Sequence, residues 1–425
     1  MRRAAILLLL LLAMQLILPL GVGERSTSLL TFGFLILAAH TVGEVAAAWR
    51  LPKIVGYLAA GILFGPSLLG TVSAAAVGEL VPVSRLAIAL IAFLAGAELQ
   101  WGEVKERGVA IVKIMGAELL LCFAAVFTLL LAARGAVPFL RDAPPAQAAA
   151  FAVLFAAVAI IHSPAVTMAL LSETGARGPV ARTSLGVVLL SDVAVIILFS
   201  GALAVARTIA PPPGDAGGSS GWLVLWEIGG SVIVGAALGT LVALYLRFVR
   251  RELLLFAILV TLAGAELTRL LHVETLLTLL TAGFVSENGS RYGTELRHAV
   301  ERAAAPVFVV FFALAGASMG LREVIELWPI VLPIVAVRAL AIWLGSRLGA
   351  RWAGVGDVER RYVWTALISQ AGVAIGLATI VAGVYPQVGA QMRTLFLAVM
   401  TINQLAGPIL NRWGLNRAGE VQQGE

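Results

Sequence analysis

The stretch Leu185-Gly186-Val187-Val188-Leu189-Leu190-Ser191-Asp192-Val193-Ala194-Val195-Ile196-Ile197-Leu198-Phe199 decides the fold. Between Arg182 and Arg207, Asp192 is its one charged residue. Wound as a helix at about 1.5 Å per residue, such a run crosses a hydrocarbon core of about 30 Å. It is too long for a barrel strand of about ten residues, and lipid requires every backbone group to be satisfied within the segment, so a helix remains. Runs of this kind recur along the 425 residues. Hydrophobic residues make up 60% of the chain and charged ones 13%, against about 45–50% and 25% in soluble domains. The expected class is an all-α polytopic membrane protein.

About thirteen spans are read by hydropathy, near 28–49, 53–70, 84–100, 109–133, 146–171, 182–208, 221–247, 252–271, 273–286, 301–320, 325–349, 361–384 and 391–411. The ninth is too short to cross unless it is broken or re-entrant. Ahead of them, Met1-Arg2-Arg3, an apolar run and Gly21-Val22-Gly23 have the layout of a signal peptide, cleaved or kept as an extra helix over 1–24. The spanning domain is expected over 25–414 and a short tail over 415–425. Alternate loops carry the Lys and Arg, among them Arg50 with Lys53, Lys105 with Arg107, Arg247 with Arg251, and Arg351 with Arg360 and Arg361. The opposite loops hold few, such as Arg134 and Arg207. The positive-inside rule puts the rich set in the cytoplasm, the mature N-terminus outside and the C-terminus inside. The net charge of +6 is thus a topology signal, and no nucleic-acid partner is expected.

The chain also repeats itself. Tyr57-Leu58-Ala59-Ala60-Gly61 in the second span is echoed by Leu280-Thr281-Ala282-Gly283 in the ninth. Phe93-Leu94-Ala95-Gly96-Ala97 in the third is echoed by Ala313-Leu314-Ala315-Gly316-Ala317 in the tenth. An offset of seven helices is odd, so the second copy is inverted: repeat one over about 28–208, a linker helix over about 221–247, and repeat two over about 252–411. Secondary transporters are commonly built so, with the site at the midplane between repeats.

Ionisable residues inside a bilayer cost at least about 2.5–3.5 kcal/mol each, so each needs a reason. Asp192 lies about ten residues, or about 15 Å, into its span. A carboxylate there can hold a proton or a small cation, but not comfortably both, and that competition is enough for an exchanger. Arg338, mid-span in Pro333-Ile334-Val335-Ala336-Val337-Arg338, stays charged and must have an acidic or carbonyl partner; Asp192, Glu118 and Glu44 are the acidic candidates. Two spans look broken: the fifth at His162-Ser163-Pro164, where proline removes a backbone bond, and the twelfth at Ser369-Gln370-Ala371-Gly372. Freed carbonyls there, with the hydroxyls of Ser163, Thr167 and Ser191, are candidate cation ligands beside Asp192. His162 reads either as a pH sensor or as a satisfied bundle histidine. The lone Cys122 reads as buried packing. No phosphate loop, metal-ligand cluster or nucleophile elbow is present, so neither an enzyme nor a cofactor is expected, nor any metal beyond a transported Na⁺ or K⁺.

These motifs resemble the bacterial monovalent cation:proton antiporters of the sodium/hydrogen exchanger superfamily, on the Kef-like branch. The matching stretches are Pro52 to Gly70, Phe93 to Leu99, Ser163-Pro164-Ala165 with Ala176 to Pro179, the Asp192 helix, Phe308 to Phe312 with Gly316, Ser369 to Ala378, and Gly407 to Glu420. The resemblance implies an antiporter fold with a core domain of two crossed, unwound helices and a scaffold domain that dimerises in the membrane. It implies Asp192 as the ion-binding carboxylate and Arg338 as the basic residue of the core. Many relatives carry a second acid, Asn or Gln before the Asp, where this chain has Ser191; electroneutral exchange of one cation for one proton is the expectation. The alternatives are a gated K⁺ efflux channel, which would show voltage-dependent current, and a sodium-coupled organic-solute symporter, which would need a roomier polar cavity.

Overall fold

The computed structural model describes residues 24–212, 221–249, 251–370 and 373–422. The signal-like region over 1–23 and Gly372 lie outside them. In chain order the helices are α1 (Glu24–Ala48), α2 (Lys53–Phe64), α3 (Ala74–Glu79), α4 (Val81–Glu98), α5 (Trp101–Ala132), α6 (Pro138–Arg141), α7 (Pro145–Ala159), α8 (Pro164–Thr174) and α9 (Pro179–Ile209). There follow α10 (Gly221–Phe248), α11 (Leu253–Leu271), α12 (Thr275–Gly289), α13 (Gly293–Ala317), α14 (Leu321–Ala353), α15 (Asp357–Tyr362), a 3₁₀ turn (Val363–Leu367), α16 (Val373–Val384) and α17 (Pro386–Ala418). No strand occurs among the described residues.

Local chemistry sets many of these limits. Proline opens α7, α8, α9 and α17, where its fixed φ suits the first turn and its missing N–H costs nothing. Gly175 (φ +62°) and Gly419 (φ +73°) close α8 and α17 in the left-handed region that glycine enters without strain.

Among the described residues, nine helices are long and apolar enough to cross a membrane, or ten if the 53° bent α13 is one span. The sequence reading had about thirteen. The three that fall short are the second (α2), the ninth (α12) and the twelfth, which is divided into α15, the 3₁₀ turn and α16. Hydropathy finds these segments because each is apolar; their helices are short because two end early in turns and one is interrupted.

The chain divides into two compact units. The first takes the residues up to Glu98, Met168–Glu173 and Ser231–Leu321. In it, two close helix crossings rest on glycine. A β-carbon on Gly61 (α2) would lie 2.1 Å from the Ala313 carbonyl oxygen (α13), and one on Gly316 would lie 2.3 Å from that of Leu58. Likewise Gly96 (α4) would meet the Leu280 oxygen (α12) at 1.9 Å, and Gly283 that of Phe93 at 2.0 Å. Helices in lipid gain stability by backbone approach of this kind. The polar run after α12 is not a loose linker: Arg297 on α13 donates to Glu98 at 3.2 Å and to Glu301 at 3.0 Å.

The second unit takes Leu99–Thr167, Thr174–Gly230 and Arg322–Glu425. Here α9 packs against α5, α7 and the 3₁₀ turn, and α17 packs against the 3₁₀ turn and α16. Gly345 and Gly349 let α14 lie on α5, where added β-carbons would sit 2.6 Å from the Cα atoms of Glu118 and Ile114.

Candidate ion-binding site

The site is built from two interrupted helices in the second unit. α7 stops at Ala159 and α8 restarts at Pro164, with Ser163 capping it by accepting from the Val166 N–H at 3.2 Å. The 3₁₀ turn stops at Leu367, and Ser369 and Gln370 follow in non-helical backbone. A helix that ends leaves its last carbonyls without intrahelical donors and concentrates negative dipole there. Both ends here are buried, so water cannot serve them.

Arg338 serves both. It is fully buried on α14. Its Nε donates to the Ala159 carbonyl at 2.7 Å and its Nη2 to that of Ile161 at 2.9 Å. Its Nη1 donates to Ile368 at 2.7 Å, and Nη2 also reaches Leu367 at 3.4 Å. Charge-assisted bonds of this kind each contribute about 1.5–3 kcal/mol, which offsets much of the cost of burying a guanidinium. Gln370 adds a second tie: its Nε2 donates to Ala159 at 2.7 Å and its Oε1 accepts from Asn403 Nδ2 at 2.8 Å.

Of the acidic or carbonyl partners expected for Arg338, the carbonyls are the ones found. Arg338 is held by backbone carbonyls among the described contacts, not by a carboxylate. Glu118 instead bonds His162 Nε2 at 3.0 Å, both fully buried. Glu44 pairs with Lys53 in the first unit. And the carbonyls of Ala159, Ile161, Leu367 and Ile368, which a broken helix would offer to a cation, are taken by the guanidinium.

Asp192 stands about midway along α9, half-buried. Ser191 is fully buried and donates to the Val188 carbonyl at 2.8 Å, which leaves its oxygen able to accept or coordinate. Thr167, one helical turn into α8, is buried with its hydroxyl unpartnered among the described residues, as is Ser369. Pro164 is the first residue of α8. Cys122 is buried and free.

Two contributors escaped the sequence reading. Asn403 orients Gln370; the signal was an Asn403-Gln404 pair inside an apolar span. Glu420, beyond the last helix, accepts from the Val180 and Ala181 N–H groups at 2.7 and 2.8 Å. It therefore caps the first turn of α9, the helix that carries Asp192, and the Gln422 N–H donates to the Thr174 carbonyl beside it at 3.1 Å.

A model of the transmembrane domain of sodium/hydrogen exchangers matches residues 28–412. The chain belongs to the sodium/hydrogen exchanger family. Among solved structures it is similar to the sodium proton antiporter MjNhaP1 from Methanocaldococcus jannaschii at pH 8, with a TM-score of 0.64 and 16% identity over 93% of this chain and 97% of that one. At that identity the likeness is one of fold: an all-helical antiporter architecture. The family places the chain among multi-pass membrane transporters that exchange cations for protons, and not among catalysts.

Proposed function

We propose that this exchanger carries Na⁺ or K⁺ against protons by alternating access, one for one and therefore electroneutrally, with Asp192 as the carboxylate for which cation and proton compete. One observation carries the reading. Asp192 lies about midway along α9, the helix that packs against both α7 and the 3₁₀ turn, the two elements that end at the breaks. Thr167 and Ser163, on α8 and at its cap, and Ser191 on α9 are the hydroxyls proposed to join Asp192 as cation ligands. Cation ligands of this hard, oxygen-only type suit a monovalent ion that must also leave quickly. The second copy of the fold, inverted with respect to the first, offers the same site to either side. The motifs that resemble the Kef-like branch, together with the Lys/Arg asymmetry, support a multi-pass protein of a bacterial inner membrane, C-terminus inside, working as a homodimer.

The test is reconstitution in liposomes with a preset pH gradient, to which Na⁺, K⁺ or Li⁺ is added separately. Wild type discharges the gradient on addition of its cation, and Asp192→Asn reduces that rate at least about a hundredfold, because its only exchangeable site is gone. An unaltered rate in Asp192→Asn would rule the assignment out.

A further inference from the structure

We propose that the far end of α14 holds a binding site for an anionic phospholipid, its phosphate gripped by Arg347, Arg351 and Arg361. A cleft of about 390 Å³ opens there, within the second unit, lined by Trp343, Leu344, Leu348 and by four arginines: Arg347, Arg351, Arg360 and Arg361. That volume lies in the range of about 300–1,000 Å³ typical of small-molecule sites. No carboxylate lines it. Asp357 pairs with Arg360, while among the described residues no acid meets Arg347, Arg351 or Arg361. Glu359, the other acid of α15, turns inward to Arg107 and Thr183. The cleft therefore keeps about three uncompensated charges.

Its depth and its neighbours identify the occupant. Arg338 lies on the same helix at the level of the breaks. Arg347 follows it by nine residues and Arg351 by thirteen, about 14 and 20 Å along the axis. Half the hydrocarbon thickness is about 15 Å, so both guanidiniums reach the phosphate layer when Arg338 is central. Leu340 and Leu344, deeper than the arginines, and Leu348, between Arg347 and Arg351, form an exposed stripe at helical spacing, 55%, 40% and 54% accessible, of the kind that acyl chains cover. Trp352 stands exposed at the same end, an interfacial anchor, with Lys113 donating to its carbonyl. Arg347 is already placed over the Trp343 ring at 4.9 Å, which orders it before a ligand arrives. Ordinary topology arginines spread along a loop; these converge on one concavity, and a guanidinium fork matches phosphate oxygens two at a time. A soluble phosphate would satisfy the arginines but leave the leucine stripe unused, so the lipid is the occupant that uses both halves. Its binding would brace the helix that carries Arg338.

Native mass spectrometry of the purified full chain tests this, by counting phosphatidylglycerol or phosphatidylcholine retained from mixed micelles. Wild type should retain phosphatidylglycerol preferentially. Arg347→Gln with Arg351→Gln and Arg361→Gln should weaken retention about fivefold per guanidinium removed, and lysine at the same three positions should keep most of it. Equal retention of the two lipids by wild type would overturn the proposal, and that comparison stands even should the triple Gln variant not fold. Equal retention of phosphatidylglycerol by wild type and triple Gln variant would overturn it too. Displacement by millimolar inorganic phosphate would identify a site for the free anion instead and overturn the lipid assignment.

Discussion

At the scale of single residues, Arg338 does two jobs with one charge. It neutralises the carbonyl ends of both interruptions and, being permanently protonated, never competes for the transported proton. Replacing it by Gln leaves two or three buried carbonyls bare, at about 1–3 kcal/mol each, so a loss of about 3–5 kcal/mol is expected. Lysine keeps the charge but not the fork and should recover part of it. The lone Cys122, wholly buried, provides the readout: a thiol-reactive dye labels it only as the bundle opens on heating. The expected order of melting is Arg338→Gln, then Arg338→Lys, then wild type; a Gln variant that melts with wild type would contradict the role given to these bonds. The sequence showed that Arg338 needed a partner but not which. Three acids were in reach on paper, whereas backbone carbonyls, the actual acceptors, exist at every residue and become acceptors only where a helix stops.

At the scale of elements, the breaks themselves were legible. Pro164 cannot donate to the turn before it, and Ser369 to Gly372 is a poor place to continue an apolar helix. The clamp on α9 was not, because Glu420 lies 240 positions from the amide it binds and an acid in a polar tail reads as solvated. The expected tail over 415–425 in fact continues α17 to Ala418 and then turns back onto the start of α9 through Glu420 and onto the end of α8 through Gln422. A carboxylate accepting two first-turn N–H groups stabilises a helix through both bonds and dipole, so Glu420→Ala should cost about 1–2 kcal/mol. Gly178 leaves the room for it: a β-carbon there would lie 2.2 Å from Glu420 Cδ. Gly178→Ala should therefore act by expelling the same carboxylate, and the double variant should melt no lower than the worse single one. Full additivity in the Cys122 labelling assay would mean that the two residues act separately.

At the scale of the whole molecule, the glycine crossings bear on the repeat. In both crossings each glycine faces the carbonyl three residues before its partner glycine: Gly61 with Ala313, Gly316 with Leu58, Gly96 with Leu280, Gly283 with Phe93. Exchanging the repeated motifs, Gly61 for Gly283 and Gly96 for Gly316, turns one crossing into the other. We read this as one packing motif used twice, which supports an inverted duplication beyond what short Ala-Gly matches carry. The proposed role of Asp192 as the single loadable carboxylate also fixes what the transport cycle can move. If Asp192 carries a cation one way and a proton the other, each crossing bears the same charge and the cycle transfers none. A net charge of one would couple to voltage at about 2.3 kcal/mol per 100 mV, shifting the attainable cation gradient about fiftyfold. Clamping the liposome potential with a K⁺ gradient and valinomycin while measuring Na⁺-driven proton movement separates the two cases. The expected result is a rate and end point unmoved by voltage. A steep response would require a second titrating group in the cycle, and the buried Glu118–His162 pair would be the first place to look for it.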